Sequence, residues 1–157
     1  MKIIRIALPA LAIVALSAGK AAAQDQEVSF EVQAINQISF SGSPSLVIST
    51  ATAGSAPTSA NANATYAITT NETNRKITAQ LDSDMPTGTT LSVTLAAPNG
   101  ATSTTVQLSE SAQDVVTGVS KVSESGLNVS YSLTATAAAG VIAADSRTIT
   151  YTIATGA

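Results

Sequence analysis

Val28-Ser29-Phe30-Glu31-Val32-Gln33-Ala34-Ile35-Asn36-Gln37-Ile38-Ser39-Phe40 decides how this chain of 157 residues is read. Its apolar residues keep one alternating phase: Val28, Phe30, Val32, Ala34, Ile38 and Phe40 all fall on even positions, interrupted only by Asn36. Successive side chains of an extended strand point to opposite faces, so a continuous strand here turns all six to one side. A face of that size needs an apolar partner. Either the segment is the first strand of the domain's own sheet, or it reaches out and completes a neighbouring subunit by strand addition. Asn36, the one polar break in the phase, marks where an extension would leave one subunit and enter the next.

Upstream of this segment the residues read as an export signal. Lys2 and Arg5 supply the charged region, residues 6–16 an apolar run, and Ala21-Ala22-Ala23 the small-residue cleavage site. The expected domain plan is therefore a signal peptide over residues 1–23, an N-terminal extension over 24–36 and one folded domain over 37–157. An apolar run of this length is too short to span a bilayer, and no later segment is apolar enough to replace it, so no membrane span is expected after cleavage. With no cysteine the chain cannot be lipidated as a bacterial lipoprotein, and Thr155-Gly156-Ala157 carries no sorting motif. The product is expected to leave the cytoplasm.

Removing 23 residues leaves 134, the length of one domain, which buries about two-thirds of its unfolded surface. The remaining 4 basic residues face 10 acidic ones, a net charge of −6. That balance argues against nucleic acid or anionic lipid as a partner, since both call for basic clusters. Serine and threonine number 41 of these 134 residues, often alternating with valine, isoleucine or leucine, as on a solvated sheet face built from hydroxyls. Without disulfides, stability has to come from the core and from whatever the chain assembles with.

Period-two runs recur every ten to fifteen residues between Gly, Pro, Asn, Asp and Ser, the signature of an all-β sandwich or barrel. The runs are residues 46–50, 64–70 around Tyr66 and Ile68, and 75–81 with Ile77, Ala79 and Leu81 inward. Leu91, Val93 and Leu95 follow, then Val106 and Leu108. Residues 115–122 are irregular. After Gly126 a long run sets Leu127, Val129, Tyr131 and Leu133 on one face, and residues 147–154 place Ile149, Tyr151 and Ile153 together. Residues 82–88, 98–100 and 137–140 read as turns, and 51–63 as a low-complexity surface loop.

Histidine, cysteine and tryptophan are absent, which removes the commonest general base, the thiol nucleophile and the usual soft metal ligands together. The closest carboxylate pair, Asp82 and Asp84, sits in a Pro and Gly turn where Asp bonds nearby backbone amides; an acid–base pair or a calcium site is the competing reading, and the twelve-residue calcium loop is missing. No catalytic, metal or cofactor site is assigned. Asn63, Asn71 and Asn128 begin Asn-x-Ser/Thr matches that chance explains in so hydroxyl-rich a chain. Arg75 and Lys76 read as solvated or as partners of Glu72 or a turn aspartate, and the three tyrosines, each in phase with apolar neighbours, as core or rim.

In the order of these features the chain resembles secreted pilins, especially the disulfide-free fimbrial subunits of the chaperone–usher type. Glu27-Val28-Ser29-Phe30-Glu31-Val32-Gln33-Ala34 looks like their N-terminal extension, Asn74-Arg75-Lys76-Ile77-Thr78-Ala79-Gln80-Leu81 like a central strand, and Arg147-Thr148-Ile149-Thr150-Tyr151-Thr152-Ile153 like the closing strand. The resemblance implies an immunoglobulin-like antiparallel β-sandwich lacking one strand, completed by the extension of a neighbouring copy. It further implies Val28, Phe30, Val32 and Ala34 as donor plugs, a homopolymer on a bacterial cell surface, and a periplasmic chaperone and an outer-membrane assembly protein as partners. The alternatives are a non-polymerising secreted or periplasmic binding module, in which residues 28–34 pair within their own subunit, and an enzyme with a pocket converging on a carboxylate pair.

Overall fold

The computed structural model describes residues 23–156, so the expected signal peptide over 1–23 lies outside the described residues except for Ala23. Two compact units divide the chain, Met1–Val32 and Gln33–Ala157. In the first, residues 23–32 carry no helix or strand, and Val28, Phe30 and Val32 are exposed.

The second unit consists of two antiparallel sheets. One runs in the order β1 (Asn36–Ser41), β2 (Ala60–Thr70), β8 (Val122–Ala135), β4 (Thr89–Leu95), β6 (Val106–Gln107); the other β5 (Thr102–Ser103), β7 (Gln113–Val119), β3 (Arg75–Leu81), β9 (Ile149–Thr155). The local cause is the alternation itself. In β4 the buried Leu91, Val93 and Leu95 are separated by half-exposed Ser92 and Thr94, and in β3 Ile77, Ala79 and Leu81 are buried in the same way. Tyr66, Ile68, Val93, Leu95 and Val129 from one inner face meet Ile77, Ala79, Val115, Val116 and Val119 from the other in a single core. The chain is thus an all-β sandwich, the class its period-two pattern predicts. Outward, hydroxyls and amides pair across strands: Ser130 Oγ donates to Asn63 Oδ1 at 3.0 Å, and Thr94 and Thr105 share a hydrogen bond of 2.6 Å.

Three segments differ from their sequence reading. Residues 46–50 alternate yet form no strand. β2 begins at Ala60, inside the expected loop, because half-buried Ala60 and Ala62 continue its inward phase while Asn63 bonds outward. Of the irregular residues 115–122, the first five belong to β7, whose pairing with β3 shifts register twice, so that Val115 and Val116 are both buried. A comparable shift sets two residues of β8 against one of β2 at Gly126, whose φ of 70° suits the bulge. Gly88 (φ 83°) lets residues 82–88 close against the 3-10 turn Ala137–Ala139, since a Cβ there would lie 3.0 Å from Ala139.

Candidate functional site

β9 is the edge of its sheet and the last described strand. At one end the Asp82 N–H donates to the Thr148 carbonyl at 3.0 Å, and at the other the Gly156 N–H donates to the Asn74 carbonyl at 2.7 Å. Bonded and non-bonded pairs alternate along an antiparallel ladder, so in this register Thr150, Thr152 and Ala154 bond to β3. The amides and carbonyls of Ile149, Tyr151 and Ile153 therefore face the open edge, while their side chains turn to the core. β1 is the edge of the other sheet on the same side of the sandwich. The Asn71 N–H donates to the Ile35 carbonyl at 3.3 Å, so by the same rule the main-chain groups of Asn36, Ile38 and Phe40 face outward from the ladder.

Aromatic packing joins these two edges. The Phe40 ring lies 5.6 Å from Tyr66 and 4.0 Å from Tyr151, at 19° to each. The Tyr151 and Tyr131 hydroxyls share a hydrogen bond of 3.0 Å, and the Tyr66 hydroxyl donates to the Ala96 carbonyl at 2.6 Å. Burial pushes both the Tyr66 and Tyr151 hydroxyls well above the usual tyrosine value, and at Tyr151 the bond to Tyr131 adds to the shift.

The two poles of this edge differ. At one pole Asn36 and Arg75 both donate to Glu72, and Arg75 Nη1 also donates to Thr155 Oγ1 at 2.6 Å. The Asn36 hydrogen bond, reinforced by Arg75, holds the Glu72 carboxyl below the usual carboxylate range. Asn71 fixes the entering chain here, accepting from the Ile35 N–H and donating to the Gln33 carbonyl, both at 2.8 Å. Beyond Ser41, toward the other pole, β1 has ended and residues 60–64 of β2 pair with β8 alone. There a groove of about 960 Å³ opens, with Leu46, Ile48, Leu91, Leu133 and Ile149 among its walls.

The four sequence-predicted donor residues belong to no strand: Val28, Phe30 and Val32 are 73%, 93% and 79% exposed, and Ala34 is exposed as well. The resemblance implied a groove but named none of its walls, although Leu46 and Ile48 keep the even phase of Ile38 and Phe40 and so carried a signal for one of them. The turn carboxylates point to main chain, Asp82 Oδ1 accepting from the Thr148 N–H and Asp84 Oδ1 from the Glu110 N–H, each at 3.0 Å. Arg75 pairs with Glu72, and Lys76 with Asp114 at 3.0 Å. Asn63 and Asn128 are engaged with Ser130, and Asn71 with the entering chain. Among the described residues no group of three or more acidic, His or Cys side chains is placed to hold a metal ion, and no helix is long and apolar enough to cross a membrane. No family model, curated protein or solved structure matches the chain.

Proposed function

We propose that this chain is a structural subunit of an extracellular filament on a bacterial cell surface, polymerising head-to-tail by donor-strand exchange. Residues 28–34 of one copy enter the open edge of the next, with Val28, Phe30, Val32 and Ala34 as plugs. The observation that carries the reading is β9: seven residues without charge or proline, their free main-chain groups turned to an open edge beside an apolar groove. Natural sheets guard such edges with charges, prolines, bulges or a cover, because an unguarded edge pairs with other chains. Exposed apolar residues in matching phase, on the same chain, are the complementary half.

Strand order supports the same reading. With β1, β2, β3, β4, β8 and β9 taken as A to F, the neighbours include A-B-E-D and C-F, as in an immunoglobulin constant-type sandwich whose seventh strand lies beside F, while β6 adds beyond D and β7 and β5 on the far side of C, outside that scheme. The place beside β9 is where the donor goes. Side chains opposite one another across a ladder share a face, so a donor whose even residues lie opposite Ile149, Tyr151 and Ile153 turns them to the inner side, those nearest Ile149 into the groove, and puts Asp25, Glu27 and Glu31 on the outer face. The chain enters the sandwich at the Asn71 pole while the groove opens at the other, a head-to-tail relation that propagates as a fibre. A periplasmic chaperone covering the edge before assembly, and an outer-membrane assembly protein, are the partners this reading calls for.

Negative-stain microscopy of the cell-surface protein, with gels run before and after boiling, tests it: filaments and a heat-sensitive ladder are expected. Phe30→Asp carries an unpaired charge into an apolar groove and is expected to leave exported monomer only. A wild-type chain that is uniformly monomeric overturns polymerisation in favour of a non-polymerising binding module.

A further inference from the structure

We propose that residues 42–50 are a removable strap that walls the acceptor groove in the unassembled chain and swings out when a second copy's extension seats. The inference rests on the strand-exchange reading and adds to it a built-in cover for one side of the groove. Leu46 and Ile48 are half-buried against the groove, with Leu46 packed on the core, while Val47 between them is 73% exposed. This is the alternation of a strand, in the even phase that Val28, Phe30 and Val32 also keep. Its main chain is nonetheless paired with neither sheet edge. β2 is bonded by β8 alone over residues 60–64, and β9 by β3 alone. The ties nearest the strap lie at its far end, where the Thr58 N–H donates to the Thr50 carbonyl at 2.8 Å and Ala51 bridges Pro57.

Up to Ser49, therefore, side chains hold the strap in place, and its one main-chain tie is at Thr50. An incoming strand supplies equivalent apolar side chains and, in addition, the row of main-chain hydrogen bonds the strap does not make. That difference gives the exchange its direction. Glycines sit where the strap and the turn after it change course, Gly42 at a φ of 100° and Gly54 at 84°, and a Cβ on Gly54 would meet nothing within 4 Å.

The chain has no cysteine, so Val47→Cys accepts a single spin label at an exposed strap position. The test uses residues 24–157 carrying Phe30→Asp, which keeps the chain from donating, and a fluorescein-labelled peptide of residues 24–36 as donor. Peptide binding, read by anisotropy, is expected to convert the label from restricted to fast motion. Leu46→Ala with Ile48→Ala is expected to tighten the apparent affinity about tenfold, because a larger fraction of the chain is open and competent. If peptide binds while the label spectrum and the affinity both stay unchanged, residues 42–50 are a fixed wall and the strap is overturned with strand exchange intact. If peptide binds neither chain, the acceptor groove itself is overturned. Should the double variant fail to fold, the label on the native strap decides alone.

Discussion

Phe40 on β1 and Tyr151 on β9 stack with ring centroids 4.0 Å apart and planes 19° apart, clasping the edge strands of two different sheets. The contact closes the sandwich at mid-height and leaves the gap toward the strap pole unfilled. It also places the Tyr151 hydroxyl on Tyr131, so one side chain ties three strands together.

Because Phe40 is half-buried between two rings, Phe40→Ala is expected to lower stability by about 2–3 kcal/mol, somewhat less than a fully enclosed phenylalanine. Tyr151→Phe keeps the stack and loses one hydrogen bond, costing about 1 kcal/mol. Urea unfolding followed by circular dichroism measures both. A Phe40→Ala loss below that of Tyr151→Phe would mean that the aromatic clasp contributes little.

Alkaline pH acts through the same tyrosines. Tyr66 and Tyr151 have folded-state values raised above the ordinary tyrosine value of about 10, so their contribution is complete below that pH and falls as pH rises from it toward the folded-state values. The chain contains neither His nor Cys, the side chains that ordinarily titrate between about pH 6 and 9. Melting temperature is therefore expected to be level across that range and to drop above about pH 10, with tyrosinate absorbance from Tyr66 and Tyr151 appearing only as the fold opens. At the acid end the signs reverse. Glu72 and Asp145 have lowered values, held by Asn36 and by Arg147 respectively, so their contributions are present above the ordinary carboxylate range and are lost as pH falls through the folded-state values. Melting curves at successive pH values check both limbs.

What could be read from the sequence divides along a physical line. β3, β4 and β9 were legible because each alternates apolar with polar residues, the apolar ones buried in β3 and β4 and half-buried in the edge strand β9, and a period of two admits one assignment. β7 was not, since its two adjacent buried valines reflect register shifts forced by β3, and no local pattern records a bulge's partner. Residues 46–50 misled for the opposite reason. Their alternation reports burial of Leu46 and Ile48, but a strand also needs an edge to pair with, and pairing is set by the whole sheet. The donor residues Val28, Phe30, Val32 and Ala34 stood out by phase alone, whereas the groove is walled by segments more than a hundred residues apart, Leu46 and Ile149 among them, and only tertiary structure brings these together.

Asp82 separates a turn role from a chemical one. Its Oδ1 accepts the Thr148 N–H at 3.0 Å just before β9 begins, and an amide oxygen can do the same. Asp82→Asn is expected to leave both stability and filament yield nearly unchanged, while Asp82→Ala leaves the Thr148 amide without that acceptor and costs about 1 kcal/mol. Thermal melts and micrographs of the two variants read this out. Loss of filaments in Asp82→Asn alone would point to cation binding at the turn.

Proline placed along β9 distinguishes the two sides of that strand. The Thr150 amide faces β3 opposite Gln80, so Thr150→Pro removes a ladder bond and is expected to destabilise the monomer by about 1–3 kcal/mol. The Ile149 amide faces the open edge, where proline is tolerated within a sheet, so Ile149→Pro is expected to fold with only the loss of a half-buried side chain. If that edge receives a neighbouring strand, the second variant loses assembly while it remains folded, and the first loses stability before assembly is in question. Melting temperature set against filament yield for the pair resolves the two effects. Filaments formed normally by Ile149→Pro would show that the free amide at the start of β9 takes no part in joining subunits.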